Sequence, residues 1–298
     1  MIFWRIYNNE LLPIHECDEL GFSVNDKSMI PDEYLEKQKF VICRTAFGLG
    51  DWGIISALPR LLKQKYPNCK VFIPSEESLE EIFRQLRGNW PSWESPFKVA
   101  QTVFKNNPYI DGELDYIDGD IFHDHYRIFD PKNDRIPLVK QMLYFWQFTD
   151  DEIDDCQPEL YFTDEEKEKG DEIINHVFGA KPYITFLLSD RYYDTKYKYR
   201  RADWEVKLKS KLSEYDNHSI FYWSTKPLED TNFGDLLTKQ TFDLHHVDVR
   251  IQLYIKTKAK ANIGIQSGIN DVIPKYAPVF TIVRDKLGSN NVIGETYI

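Results

Sequence analysis

No stretch of this 298-residue chain approaches the ~20 consecutive apolar residues of a membrane-spanning helix, so a transmembrane role has no support. The opening Met1-Ile2-Phe3-Trp4 has neither the basic start nor the sustained apolar run of a secretory leader, and we expect a cytosolic protein. Cysteine is scarce. Cys17, Cys43, Cys69 and Cys156 stand far apart with no C-x-x-C pair, which removes zinc-ribbon and thioredoxin-like readings and leaves reduced structural thiols. An excess of positive charge is also missing: a net charge of -11 argues against nonspecific nucleic-acid binding, which needs a basic surface. There is no short-period repeat.

What the chain does have is a hydrophobic content of 42%, enough for a substantial core in one large domain or two ordinary ones. It also has one informative stretch, Phe40 to Ser75. The run Phe40-Val41-Ile42-Cys43 is too short for a helix and rich in β-formers. Gly48 and Gly50 then bracket Leu49 ahead of Asp51. Ile54, Ile55, Leu58, Leu61 and Leu62 recur at helical spacing up to Pro67, and Val71-Phe72-Ile73 is a second strand. Strand, glycine loop, helix and strand make a βαβ unit, and such loops carry ligands at the carboxyl ends of strands.

Further along, helical spacing covers Ser78 to Leu86, Asn106-Asn107-Pro108 stops another helix, and Leu114 to Ile117 suggests a strand. Ile136 to Phe148 reads as an aromatic-rich helix. The acidic tract Asp150 to Asp155, followed by Cys156-Gln157-Pro158, places a domain boundary at 157/158. Beyond it the alternation is clearer: helix 164–178, strand 183–188, a charged loop, helix 202–212 and strand 219–223. A short strand near Phe242, helix 249–258, strand 261–265, helix 269–276 and strand 279–283 follow. This is the pattern of an α/β protein with parallel sheets covered on both faces, in two Rossmann-like halves, 1–157 and 158–298. Residues 1–38 form an extension without a clean period. Two such halves predict a ligand cleft between lobes.

Four constellations carry possible chemistry. Ala46-Phe47-Gly48-Leu49-Gly50-Asp51 is not a P-loop, because the Gly-Lys-Ser/Thr ending is absent. It reads either as a tight turn with Asp51 as N-cap or as a carboxylate offered as general base. Gln266-Ser267-Gly268 follows a buried strand and opens a helix containing Asp271, an arrangement that suits phosphate but also describes an ordinary βα turn. Between Arg191 and Lys211 eight basic residues outnumber the acidic ones, reversing the sign of the chain. Arg191, Lys196, Lys198, Arg200 and Arg201 on that loop are either a solvated charge run or the counter-charge for a diphosphate. Asp118-Gly119-Asp120 and His123-Asp124-His125 offer possible metal ligands, though adjacent ligands seldom complete a site without distant partners.

The spacing of the first three loops resembles the heptosyltransferase-like glycosyltransferases of family 9. Val41-Ile42-Cys43-Arg44 through Gly48-Leu49-Gly50-Asp51 matches that family's strand, Arg and Leu-Gly-Asp ending, and Pro59 sits where its next helix carries a Pro. Asn107-Pro108-Tyr109-Ile110-Asp111 matches a recurrent segment. Ala261 to Gly268 with Val279 to Val283 resembles the donor site, and Asp190-Arg191 through Lys198-Tyr199 to Trp204 resembles its Lys-aromatic loop. Gln266 stands where the family usually has Asp, and Asp271 where it often has His.

The resemblance implies a GT-B fold, two Rossmann-like lobes facing a central cleft, and a sugar transferase using a nucleotide-diphosphate sugar and a glycan or glycolipid acceptor. It implies Asp51 as base, with Arg44, Gly48 and Gly50 on the acceptor-side loop. Arg191, Lys198, Gln266, Ser267, Gly268 and Asp271 would hold the donor. It implies inversion, no metal and no other cofactor, no nucleic acid, and contact with a membrane surface only if the acceptor is lipid-linked. The alternatives are a metal-dependent D-x-D transferase on Asp118 and Asp120, and a catalytically degenerate GT-B protein that only binds.

Overall fold

The computed structural model describes residues 4–7, 10–13, 39–44, 48–87, 95–115, 121–124, 137–145, 148–153, 155–179, 181–224, 233, 241–244, 246–282 and 293–298. The chain divides into two compact units, the first running from Met1 to Leu160 and the second beginning at Tyr161. Most of the 1–38 extension, the Asp118-Gly119-Asp120 motif and His125 lie outside the described residues.

In the first unit the antiparallel pair β1 (Trp4–Tyr7) and β2 (Glu10–Pro13) flanks Asn8 and Asn9. A parallel sheet of four strands follows: β3 (Lys39–Cys43), β4 (Lys70–Pro74), β5 (Gly112–Leu114) and β6 (Ile121–Asp124). Its order is β5-β4-β3-β6. β3 is fully apolar and buried from Phe40 to Cys43, as a strand covered on both faces requires. β5 begins two residues before the expected Leu114, and β6, which carries His123 and Asp124, was not legible as a strand.

The single helix expected after the glycine loop is two. α1 (Leu49–Gly53) is one turn, and after a bend α2 (Leu58–Lys65) restarts with Pro59 in its first turn. The reason is Pro59, which has no N–H to donate and would clash with the carbonyl four residues earlier inside a continuous helix. Leu58, Leu61 and Leu62 of α2 are fully buried. Each contributes about 1.5–3 kcal/mol by leaving water. Helices α3 (Glu76–Arg87), α4 (Pro96–Phe104) and α5 (Leu138–Phe145) complete the layer. Asn106, at φ 61°, breaks the chain after α4 where Asn106-Asn107-Pro108 predicts a stop. Asp111 ties that turn to the sheet edge, accepting from Lys63 at 2.6 Å, Lys70 at 3.1 Å and the Val71 amide at 2.8 Å.

The second unit opens with α6 (Asp164–Phe178), capped by Thr163 and Glu166 in a reciprocal capping box. Its strands are β7 (Tyr183–Leu188), β8 (Ser219–Ser224), β9 (Thr241–Asp243), β10 (Asn262–Ile265), β11 (Val279–Ile282) and β12 (Glu295–Tyr297). All pair parallel in the order β12-β11-β10-β7-β8-β9. The segment expected as a charged loop is helical: α7 (Asp190–Tyr193) and a 3-10 stretch Thr195–Arg200 run directly into α8 (Arg201–Ser213). It contains neither Gly nor Pro, Asp194 caps it through the Lys196 amide at 2.9 Å, and buried Tyr197 packs on Trp204. α9 (Val249–Lys258) follows. The last expected helix shrinks to one turn, α10 (Gly268–Asp271), because Pro274 disfavours helix in the residue before it.

α9 lies against α6 through a buried bidentate pair, Arg250 to Glu166, at 2.8 and 3.0 Å. Tyr254 lies across Gly170, where any Cβ would fall 2.3 Å from the ring. The first contact explains why α9 buries an arginine.

Candidate functional site

Parallel α/β sheets expose a ligand crevice where the strand order reverses direction, at the carboxyl ends of the two strands that flank the reversal. In the first unit β4 and β5 lie to one side of β3 and β6 to the other, so the reversal lies at β3. The chain leaving the carboxyl end of β3 carries Arg44, Gly48, Gly50 and Asp51. In the second unit the reversal lies between β7 and β10. Ser189 leaves the first of these strands, and Gln266 to Gly268 leave the second. Each sequence-derived loop therefore sits at its own unit's switch point.

Asp51 is not the N-cap. Gly48 holds that place and Asp51 is the third residue of α1, its Oδ2 reaching back to accept the Gly48 amide at 3.3 Å. Its Oδ1 accepts from Arg44 Nη2 at 3.3 Å. The Arg44 side chain is 1% exposed and that of Asp51 30% exposed. A buried guanidinium thus orients a carboxylate whose outer edge faces water. Gly48 is required by space rather than conformation, since a Cβ there would stand 2.8 Å from Asp51 Oδ2 at an ordinary φ of -80°. Gly50 is buried within α1.

In the second unit the sheet continues past β10 through the Gln266 amide, which donates to Ile282 O at 3.0 Å. Ser267 caps α10 and accepts at its carbonyl from the Asn270 and Asp271 amides, at 2.8 and 3.1 Å. Gln266, Ser267, Gly268 and Asp271 are half-buried. A one-turn helix has little of the dipole expected of this end, so attraction for an anion needs another source. The buried polar atoms near the reversal without a hydrogen-bond partner among the described residues include Ser189 Oγ and Asn270 Nδ2.

The basic segment divides by role. Arg201 donates to Tyr193 O at 2.7 Å and lies over the Tyr192 ring, and Arg200 lies over Tyr199. Lys198 is exposed and makes no ion pair among the described residues. Arg191 lies in α7, and its side chain is outside the described residues.

Beneath the β7/β10 reversal lies a network that no motif announced. Lys256 of α9 is 1% exposed, and its Nζ donates to Thr185 Oγ1 of β7 and Asn270 Oδ1 of α10, both at 3.0 Å. Thr185 Oγ1 donates to Asn262 Oδ1 at 2.6 Å, and Asn262 Nδ2 donates to Lys256 O at 3.1 Å. Thr185 and Asn262 are register partners across the two central strands. The signal available in the sequence was Asn262 inside an otherwise apolar strand.

Asp271 meets Glu295 of β12, whose carboxyl is pushed well above the usual carboxylate range by burial and by the Asp271 charge. Cys43, Cys69 and Cys156 are buried, and burial pushes the Cys69 thiol up to about 11. Among the described residues no three His, Cys, Asp or Glu side chains cluster as metal ligands, and no helix is long and apolar enough to cross a membrane.

No family model and no curated protein sequence matches this chain. Solved structures do. A glycosyl transferase of family 9 from Veillonella parvula superposes over 92% of this chain and 88% of its own, with a TM-score of 0.58 at 11% identity. The ADP-heptose lps heptosyltransferase II of E. coli covers 88% of this chain and 90% of its own, at TM-score 0.46 and 11% identity. E. coli heptosyltransferase WaaC with ADP covers 87% and 92%, at 0.46 and 13%. The chain has an α/β fold of the GT-B class, like that of the family 9 glycosyl transferase.

Proposed function

We propose that this protein is a glycosyltransferase that moves a sugar from a nucleotide-diphosphate sugar to a hydroxyl of a glycan or glycolipid acceptor. The observation that carries the reading is Asp51 at the first unit's switch point, held by buried Arg44 and the Gly48 amide with one edge open to water. The fold shared with a family 9 glycosyl transferase supports it.

In this reading Asp51 takes the proton of the acceptor hydroxyl as that oxygen bonds to the anomeric carbon. The bond from that carbon to the diphosphate breaks on the opposite face, and the product is inverted. Lys198, Arg191 and the backbone amides at Ser267-Gly268 receive the departing diphosphate, a charge arrangement that needs no metal. A lipid-linked acceptor would bring the protein to a membrane surface.

The test is a thermal-shift screen of UDP, GDP, ADP and CDP sugars, followed by a product assay with simple glycosides in the presence of EDTA. Stabilisation by one nucleotide class with glycoside product in EDTA is expected. Stabilisation without any product would instead support a GT-B protein that binds and does not turn over. That reading draws on Gln266 and Asp271, which depart from the family pattern. Product that disappears in EDTA would favour the D-x-D reading on Asp118 and Asp120.

A further inference from the structure

We propose that Lys256 is the buried cation of the donor side: it positions the Ser267–Asp271 turn through Asn270 and takes up a proton when a nucleoside diphosphate binds there. This rests on the donor reading of the second unit given above.

The geometry comes first. Lys256 Nζ joins the strand on one side of the reversal, through Thr185, to the turn that leaves the strand on the other, through Asn270. Asn270 in turn donates its amide to Ser267 O, so the ammonium lies one side chain behind the residues offered to the diphosphate. Both recorded bonds of Nζ are donations, and a neutral amine has two N–H groups to give. The network is therefore complete without the third proton, and burial alone pushes Lys256 down to about 7. With α10 a single turn, this lysine is the one fully buried basic side chain behind the turn among the described residues.

A bound dianion stabilises the charged form of a cation beside it in a low-dielectric interior, so binding must be linked to protonation. The neighbouring titratable groups have partners of their own, and Lys256→Met separates their uptake from that of the lysine. On β7, Tyr183 donates to Ile255 O. On α6, Glu166 is held by Arg250, and Asp171 accepts from Tyr254 of α9. On α10 and β12, Glu295 meets Asp271, and burial together with the Asp271 charge pushes the Glu295 carboxyl up. Arg250 and Lys258, the other cations of α9, sit at its two ends, and Lys258 lies over the Tyr254 ring.

The experiment is isothermal titration calorimetry of the whole protein at pH 8 with UDP, GDP, ADP and CDP, each in phosphate and in Tris. If binding raises the lysine by one unit, uptake is about 0.4 proton per site, read as a buffer-dependent enthalpy. Lys256→Met, a volume-conserving change, is expected to bind with uptake near zero and to lose the gain in affinity that wild type shows between pH 8 and pH 6.5. Thr185→Val, which keeps the lysine, is expected to retain the uptake. Binding to wild type without uptake overturns the inference whatever the variants do, and so does equal uptake in a folded Lys256→Met. If none of the four nucleotides binds, the donor reading fails and this inference fails with it, whereas binding without uptake leaves the donor reading standing.

Discussion

Replacing Asp51 with Asn removes a proton-accepting charge and little else. The Asn oxygen can still accept the Gly48 amide, which Asp51 meets at 3.3 Å. The cost falls on Arg44, whose side chain is 1% exposed and loses its carboxylate partner. Breaking a fully buried pair costs about 3–5 kcal/mol, but the Asp51 carboxylate is partly open to water, so a loss of about 2 kcal/mol is expected. For a unit of this size that lowers Tm by about 4–8 °C. The chemical loss is separate and larger. A positioned base is worth about 100- to 10,000-fold in rate, or about 2.7–5.4 kcal/mol of barrier. The assay is kcat at saturating donor and acceptor, measured well below the lowered Tm, beside Tm itself. Gly48→Ala is the companion, since its Cβ would press on Oδ2 and turn the carboxylate without removing it. A folded Asp51→Asn enzyme with kcat within about three-fold of wild type would refute the assignment of base.

Three further outcomes follow from the packing. Glu166→Ala leaves Arg250 buried without its carboxylate and opens the α6 capping box; a loss of about 3–5 kcal/mol is expected in urea unfolding, with Glu166→Met/Arg250→Met together recovering most of it. Burial acts to raise the Asp111 carboxyl, but hydrogen bonds from Lys63, the Val71 amide and Lys70 prevail and hold it below the usual carboxylate range. Its contribution is therefore complete above the unfolded carboxylate value and is lost as pH falls through the lower folded one, so urea midpoints between pH 5 and pH 2.5 should fall less steeply in Asp111→Asn. Gly264→Ala would set a Cβ 2.4 Å from the Leu187 carbonyl oxygen in the adjoining strand. Because that neighbour is backbone, a cost at the upper end of about 1–3 kcal/mol is expected, and unchanged thermal stability would contradict the register of β7 and β10.

Much of this architecture is local and so was open to the sequence. Strands such as Phe40–Cys43 and Tyr183–Leu188 are short, largely apolar runs, as strands buried on both faces tend to be. The alternation of such runs with helical stretches implied parallel sheets, and the glycine turn with Asp51 marked a strand's carboxyl end. Pro59 and Pro274 were visible too, but whether a proline bends a helix, opens one or ends it depends on the neighbours it must pack against.

Other features depend on pairs that meet only when the chain folds. Asp51 proved to be the third residue of a one-turn helix, with Gly48 at its N-cap and the buried Arg44, seven positions earlier, against its carboxylate. The strand order that puts Gln266–Gly268 beside Ser189 joins segments about eighty residues apart, and no periodicity encodes which strand pairs with which. Lys256 reads in sequence as one more surface lysine at the end of an amphipathic helix. Only the tertiary structure encloses it between Thr185 and Asn270, where loss of water, not residue type, changes what a lysine can do.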